Sequence, residues 1–492
     1  PAMLVGWDFD QDGSYHPFDA DDVAVIDGSG TDSAARAFRL GPRNDRLEFA
    51  HFVVRGHGSS LPDARDSGFL EFGPDQGELQ HVYLHDLHLI DINTARETSS
   101  EVSTFDFFLG KTRLRWLWVD NVWAPRVGGW FARGAAADQG PDSGPYRFQN
   151  VTFTARGCDF DDCGNRAAFA GFHLWGYVSG LEILDGYFSA GVADWQPKPK
   201  GGPTGARFAL TAQCSQDWTI RNNRIVDFKN ALRVQGWADR YCDGPSARPV
   251  DRVLFEGNQV LNGYEPWTSG DMAIFVSEGG DDPGEEVGDL TLAHNLLASP
   301  AGWEACVWIH AGSDAHPPSG VLRVAHNTCV TDIDYHGAFV LGDTAGRLAK
   351  FPHRRLEIVG NIVSGLGTDD LNVRMTYRPQ ELVLDHNRYD PAGAFLMLED
   401  RLAELEAFQE ATGADASSAA CLPSFVDFEN GDYRLQAEDS CARGAVPAPP
   451  AGLAARDLLG APRPPAGPWD VGAYQSTSGS SPPDSPASDS SD

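Results

Sequence analysis

Five oxygen-bearing side chains crowd the start of the chain: Asp8, Asp10, Asp12, Ser14 and Asp19, with Gly13 among them. Counted from Asp8, the ligands fall at the first, third, fifth, seventh and twelfth places, with glycine at the sixth. A loop of that spacing wraps Ca2+ in hard oxygens and uses the glycine for its sharp bend. Asp rather than Glu at the last place, and Pro17 inside the loop, argue against a full helix–loop–helix around it. An acidic turn without a metal is the alternative.

A second set of reactive groups lies mid-chain. Arg233, Trp237 and Arg240 follow Lys229; Tyr264, Trp267 and Asp271 come next; then Trp308 and His310; then His336. At similar places in successive repeats they would line one groove over residues 229–336. Arginine grips a uronate carboxylate bidentately, and Trp and Tyr stack on sugar faces. Lys229, Arg233, Asp271, His310 and His336 are the groups with acid–base capacity for a glycosidic bond. Ordinary turn residues in solvated salt bridges are the competing reading. His81, His85 and His88 have the look of a metal cluster, but on alternating strands they point to different faces, against zinc. Trp116 and Trp118 share one strand face, with Trp123 past a turn: a carbohydrate platform or coil packing.

What positions these groups is a repeat. Short alternating β runs end in an Asn turn and resume as a second strand: Trp218–Arg221 before Asn223, Val253–Glu256 before Asn258, Leu290–Ala293 before Asn295. Leu322–Ala325 before Asn327, Leu356–Val359 before Asn361 and Leu382–Asp385 before Asn387 repeat it. The asparagines are roughly 26 to 37 residues apart, a solenoid period. Stacked turns of this kind bury one continuous apolar interior. Asparagines at equivalent corners can hydrogen-bond as a ladder and tolerate a left-handed backbone. The expectation is an all-β, right-handed parallel β-helix over 1–393. A β-propeller calls for more regular blades, and a β-sandwich of this length for linkers between domains.

The texture changes towards the end. Ala394 to Ala411 has helical spacing and strong helix formers, so a C-terminal helix and capping segment are expected over 394–475. The Ser/Pro/Asp-rich stretch 476–492 reads as a disordered tail. Eight cysteines fall in sequential couples: Cys158 with Cys163, Cys214 with Cys242, Cys306 with Cys329, and Cys421 with Cys441. Pairing each couple closes the shortest loops and joins adjacent turns, which implies an oxidising, extracellular setting. The net charge of −32 disfavours nucleic acid and anionic membranes as partners. No run of about 18 apolar residues is present to insert in a membrane. No signal peptide is visible, so a secreted form is expected to have lost its leader.

Several passages resemble a known family. Leu402–Gly413, Pro423–Asp427 and Gly431–Leu435, then Asp457–Arg463 and Trp469–Tyr474, are similar to the closing module of bacterial secreted right-handed parallel β-helix repeat proteins of the pectate-lyase-like superfamily. Val23–Gly30, Ala37–Gly41 and Leu47–Arg55 resemble an early coil. The resemblance implies a closing module folded back over the end of the last coil. It also implies polysaccharide as the substrate class: many members are lyases, hydrolases or epimerases, and others have no catalysis. In its lyases a Lys base works with an Arg; Arg233 matches the Arg, whereas the base position falls near Cys214. Family members carry an amphipathic cap and first coil before the equivalent of Leu4-Val5-Gly6, so processing or another covering element is expected there. Two functions follow. One is a structural or adhesive, calcium-stabilised extracellular rod on a polysaccharide or surface polymer, able to self-associate by end-to-end stacking. The other is a lyase or hydrolase of acidic polysaccharide.

Overall fold

The computed structural model describes residues 2–5, 24–27, 36–40, 46–56, 68–72, 77–92, 103–106, 112–135, 144–155, 171–175, 179–190, 208–213, 215–235, 250–263, 272–277, 287–310, 320–333, 336–342, 355–376, 379–447 and 452–476. The calcium-loop candidates, Cys158, Cys163, Cys214, Cys242 and the tail beyond Ser476 lie outside them.

The alternation read in the sequence becomes a parallel β-helix. Each coil in the second half has three strands, as in Gln216–Arg221, Arg224–Val226 and Asn230–Gln235. The first two legs stack into a sheet of 21 described strands and the third into a sheet of 13. All pairings between coils are parallel, and parallel crossovers of twisted strands take the right-handed sense. Inward residues fill one continuous core, including the Phe131, Phe153 and Phe188 rings stacked 4.9 and 5.0 Å apart. Among the described residues no helix is long and apolar enough to cross a membrane.

The bend between the first two legs carries the main chemistry of the fold. Asn223, Asn258, Asn295, Asn327, Asn361 and Asn387 are buried and stacked. Each Nδ2 donates to the next Oδ1 at 2.9–3.1 Å, and each backbone N–H of the first five donates to the same oxygen. Nδ2 also donates back to a carbonyl of the preceding coil, such as Leu292 from Asn327 at 2.9 Å. The ladder ends on Ser418 Oγ, which accepts from Asn387 N, and on Asp415.

One detail differs from expectation. The left-handed residue is not the ladder asparagine but the one before it: Asn222, Gly257, His294, His326, Gly360 and His386 all have φ of 53–68°. The asparagine is needed for its amide, which replaces the backbone acceptor lost at the bend. In the first half the same corner is taken by His51, Asp86, Asn121, Asn150 and Asp185. There Phe52, Leu87, Val122 and Val151 follow it, facing the core in strands that run through the bend. Gly186 joins the two regimes: its N–H donates to Asn223 Oδ1 at 2.9 Å, and a Cβ there would meet the Phe188 ring at 2.5 Å.

The C-terminal expectations need two corrections. Ala394–Met397 is a strand, paired with Leu371–Met375, and turns back into Asp400–Leu402; the helix spans only Leu405–Thr412. Alternating Phe395 and Met397 close the core, which outweighs helical propensity. Parallel pairing persists to Ala419–Ala420, beyond residue 393. The helix covers the end of the stack, with Phe408 lying 4.7 Å from Phe395. The segment after it docks on the flank rather than the end: Trp469, Val471 and Tyr474 cluster with Leu296, Val330 and Ile362. Gly472 permits that approach, since a Cβ would sit 2.6 Å from Thr328 Oγ1 and Ile362 Cδ1. Disulfides Cys306–Cys329 and Cys421–Cys441 pair as expected, one inside the core and one in the closing segment. They fit an oxidising compartment.

Beneath Trp469 lie His294 and His326, with ring centroids 5.4 Å apart and Arg463 close by. Burial, then the Arg463 charge, lowers His294 to about 3 and His326 well below ordinary imidazole.

Two predictions follow from these contacts. Asn327→Ala strands the Asn295 N–H, the Asn295 amide and the Leu292 carbonyl, and is expected to cost roughly 3 kcal/mol or more. Asn430→Ala, in an exposed turn, should cost no more than about 0.5 kcal/mol; urea melts of both variants check this. The second prediction concerns acid. An unfolded imidazole protonates near 6.5 while the folded His294 and His326 resist. Their contribution is therefore complete above pH 6.5 and is lost as pH falls towards 3, by about 1.4 kcal/mol per pH unit per proton. Denaturation midpoints should fall below pH 6.5, with a shallower slope in His326→Asn; a midpoint flat from pH 7.5 to 5 contradicts it.

Candidate functional site

The outward face of the 13-stranded sheet gathers the polar groups. Its strands read apolar–polar–apolar at the centre: Phe172-His173-Leu174, Leu232-Arg233-Val234, Val307-Trp308-Ile309 and Val373-Arg374-Met375. The flanking residues enter the core, so the central ones must face out. Registered pairing then stacks Arg133, His173, Thr211, Arg233, Phe275, Trp308, Val340 and Arg374 in one column. Two residues further along run Gln213, Gln235, Ser277 and His310.

A polar chain ties the first half of this stripe together. Arg233 lies over the Phe208 ring at 4.7 Å and near Phe275 at 5.8 Å. With the Gln235 amide oxygen turned towards it, the guanidinium donates to that oxygen at 2.6 and 3.2 Å. Gln235 nitrogen then faces Gln213 at 2.7 Å, and Gln213 meets His173 Nε2 at 3.0 Å. The assignment that satisfies every contact has Arg233 donating to Gln235, Gln235 to Gln213 and Gln213 to His173 Nε2. His173 is then a neutral acceptor. Burial, aided by the charges of Arg133 and Arg233 and opposed by the Gln213 hydrogen bond, holds it down at about 4. Its ring lies 4.7 Å from Trp130.

The second half is aromatic and cationic. Phe275 and Trp308 meet edge to face at 5.9 Å, and Trp308 lies 5.1 Å from the His336 ring. Trp308 Nε1 donates to the Gly342 carbonyl at 3.0 Å. Arg374 Nη1 reaches His336 Nδ1 at 3.2 Å, and His336 Nε2 lies 3.9 Å from Glu304. Burial, then Arg374, lowers the His336 pKa.

Of the residues singled out in the sequence, Arg233, Trp308 and His336 meet in this stripe. His310 ends strand Ala305–His310 opposite Ser277, on the same outward side. Lys229 sits at the corner before Asn230, its carbonyl accepting from Met272 N at 3.2 Å. Trp237, Arg240, Tyr264, Trp267 and Asp271 lie outside the described residues. Arg133, His173, Gln213, Gln235, Phe275 and Arg374 escaped the sequence reading, which searched loops and turns. The signal for them was the single polar residue between two core residues in each strand. His81, His85 and His88 do not converge: His81 is exposed near Trp116, and His88 is buried beside Trp123. Trp116 and Trp118 are half-buried, 5.8 Å from one another, with Tyr83 4.9 Å from Trp118.

The stripe offers cations, flat rings and neutral imidazoles side by side at rung spacing. That set binds carboxylated or sulfated sugars, with arginine on the anion and rings against the pyranose faces. No protein-family model matches the chain, and no curated protein matches it in sequence.

Proposed function

We propose that this protein is an extracellular parallel β-helix that binds a uronate-bearing polysaccharide along the outward stripe from Arg133 to Arg374, in an adhesive or structural role. The observation that carries the reading is the registered column in which Arg133, Arg233 and Arg374 alternate with Phe275 and Trp308. A body with net charge −32 repels an anionic polymer everywhere except where cations are concentrated, so the charge directs such a ligand to this face. Disulfides and the family resemblance of the closing passages support the extracellular setting.

Polysaccharide lyase is the second reading, favoured by one observation. His173 is a neutral proton acceptor flanked in charge by Arg133 and Arg233. A lyase needs that pairing: cations to neutralise the uronate carboxylate and a base for the neighbouring proton.

Affinity electrophoresis in alginate, pectate and hyaluronan gels tests the first reading, with a neutral glucan as control. Arg233→Gln and Arg374→Gln should each weaken binding about tenfold, the worth of a charged hydrogen bond. Equal retention of both variants and the parent refutes the site. Absorbance of the unsaturated product, lost in His173→Gln, would establish the lyase; its absence with binding intact leaves an adhesin.

The acidic loop from Asp8 to Asp19 is the calcium element of the same proposal, resting on its ligand spacing. Calorimetry with Ca2+ should show one site that Asp10→Ala abolishes; identical titrations of the two proteins contradict it.

A further inference from the structure

A second cluster lies on the other sheet. His51 and Asp86 occupy the left-handed corner in successive coils, and His85 precedes Asp86. One ligand atom from each of the three falls within 4.8 Å of the others. Asp86 Oδ2 is 2.5 Å from His85 Nδ1 and 4.0 Å from His51 Nδ1. These distances bracket the roughly 3.3 Å between ligands of a tetrahedral Zn2+ with bonds near 2.0–2.1 Å.

The surroundings hold each ligand by its other end. His85 Nε2 donates to Glu48 Oε1 at 2.9 Å, leaving Nδ1 towards the cluster. Asn121 Nδ2 donates to Asp86 Oδ1 at 2.5 Å, leaving Oδ2 facing both imidazoles. Tyr83 stacks on the His85 ring at 4.2 Å and fixes its plane. A carboxylate behind a metal-binding histidine and an amide behind a metal-binding carboxylate are what orients the ligands of a metal centre. The cluster is also sheltered, with His51 only 8 % exposed.

We propose that His51, His85 and Asp86 bind a first-row divalent transition metal, Zn2+ foremost, across two coils of the β-helix, with Glu48 and Asn121 as positioning residues. Two nitrogens and one carboxylate oxygen exclude Ca2+ and Mg2+, which take oxygen ligands. The proton between His85 and Asp86 leaves to solvent as the metal enters. Three protein ligands leave a fourth position for water or for a donor group from a bound molecule. The site is independent of the polysaccharide stripe, which lies on the other sheet.

The test uses the full chain, stripped with chelator and titrated with Co2+ in millimolar Ca2+ so that the acidic loop is already filled. Visible absorption reports coordination, and competition with a chromophoric chelator gives the Zn2+ affinity. His51→Gly and Asp86→Asn preserve the corner, because Gly257 and Asn121 hold the same conformation in other coils. Each should weaken binding about 100-fold, and Glu48→Gln about tenfold. Circular dichroism confirms the fold, and the half-exposed Glu48 leaves it intact in any case. Saturable binding of one equivalent with those losses supports the site. Absence of saturable binding, or an affinity unchanged in His51→Gly and Asp86→Asn, overturns it.

Discussion

Each coil must bend, and at the bend the backbone N–H loses the carbonyl that a straight strand would offer. A buried N–H without an acceptor is costly, so this one requirement governs the rest. From Asn223 to Asn387 the answer is a side-chain amide, whose oxygen takes two donors from the coil before it. From Phe52 to Val151 the strands run through the corner and an apolar side chain fills the place. Either way the coils are locked in register to the residue. A slip by one position would turn every core residue outward, and the column of Arg133, Arg233 and Arg374 would disperse into the interior.

The fold was legible because the ladder has a period. Six asparagines behind six alternating strands carry more information than any one of them, and stacking makes that periodicity a physical necessity. What the pattern did not reveal was which residue bends: His294, His326 and His386 look like incidental neighbours of asparagine until their φ values are seen. The helix was misjudged at its start because Ala394–Met397 has good helix formers, yet Phe395 and Met397 alternate to close the core. The flank docking of Trp469 and Arg463 depends on contacts about 140 residues apart, as between Asp470 and His326, and no local signal encodes them.

The candidate site was half legible. Arg233, Trp308 and His336 stood out by type, but their partners His173 and Arg374 lie about 40 residues away on neighbouring rungs and meet them only through register. The same holds on the other sheet, where the spacing of His81, His85 and His88 suggested a cluster along one strand. The actual neighbours of His85 are Asp86, Glu48 and His51, two of them from the preceding coil. In a solenoid, chemistry assembles across rungs. The informative alignment is between repeats, at one fixed position past the corner. The two faces then separate their tasks: arginines and rings on one sheet for an anionic polymer, imidazoles and carboxylates at the bend of the other for a cation.

Hydrogen–deuterium exchange read by mass spectrometry tests the governing role of the corner most directly. The amides of Asn258, Asn295, Asn327 and Asn361 should exchange as slowly as those of the central strands beside them, since each is bonded to a buried amide oxygen. Exchange at these bends as fast as in the exposed turn at Phe428–Gly431 would contradict the ladder, and with it the register on which the functional face depends.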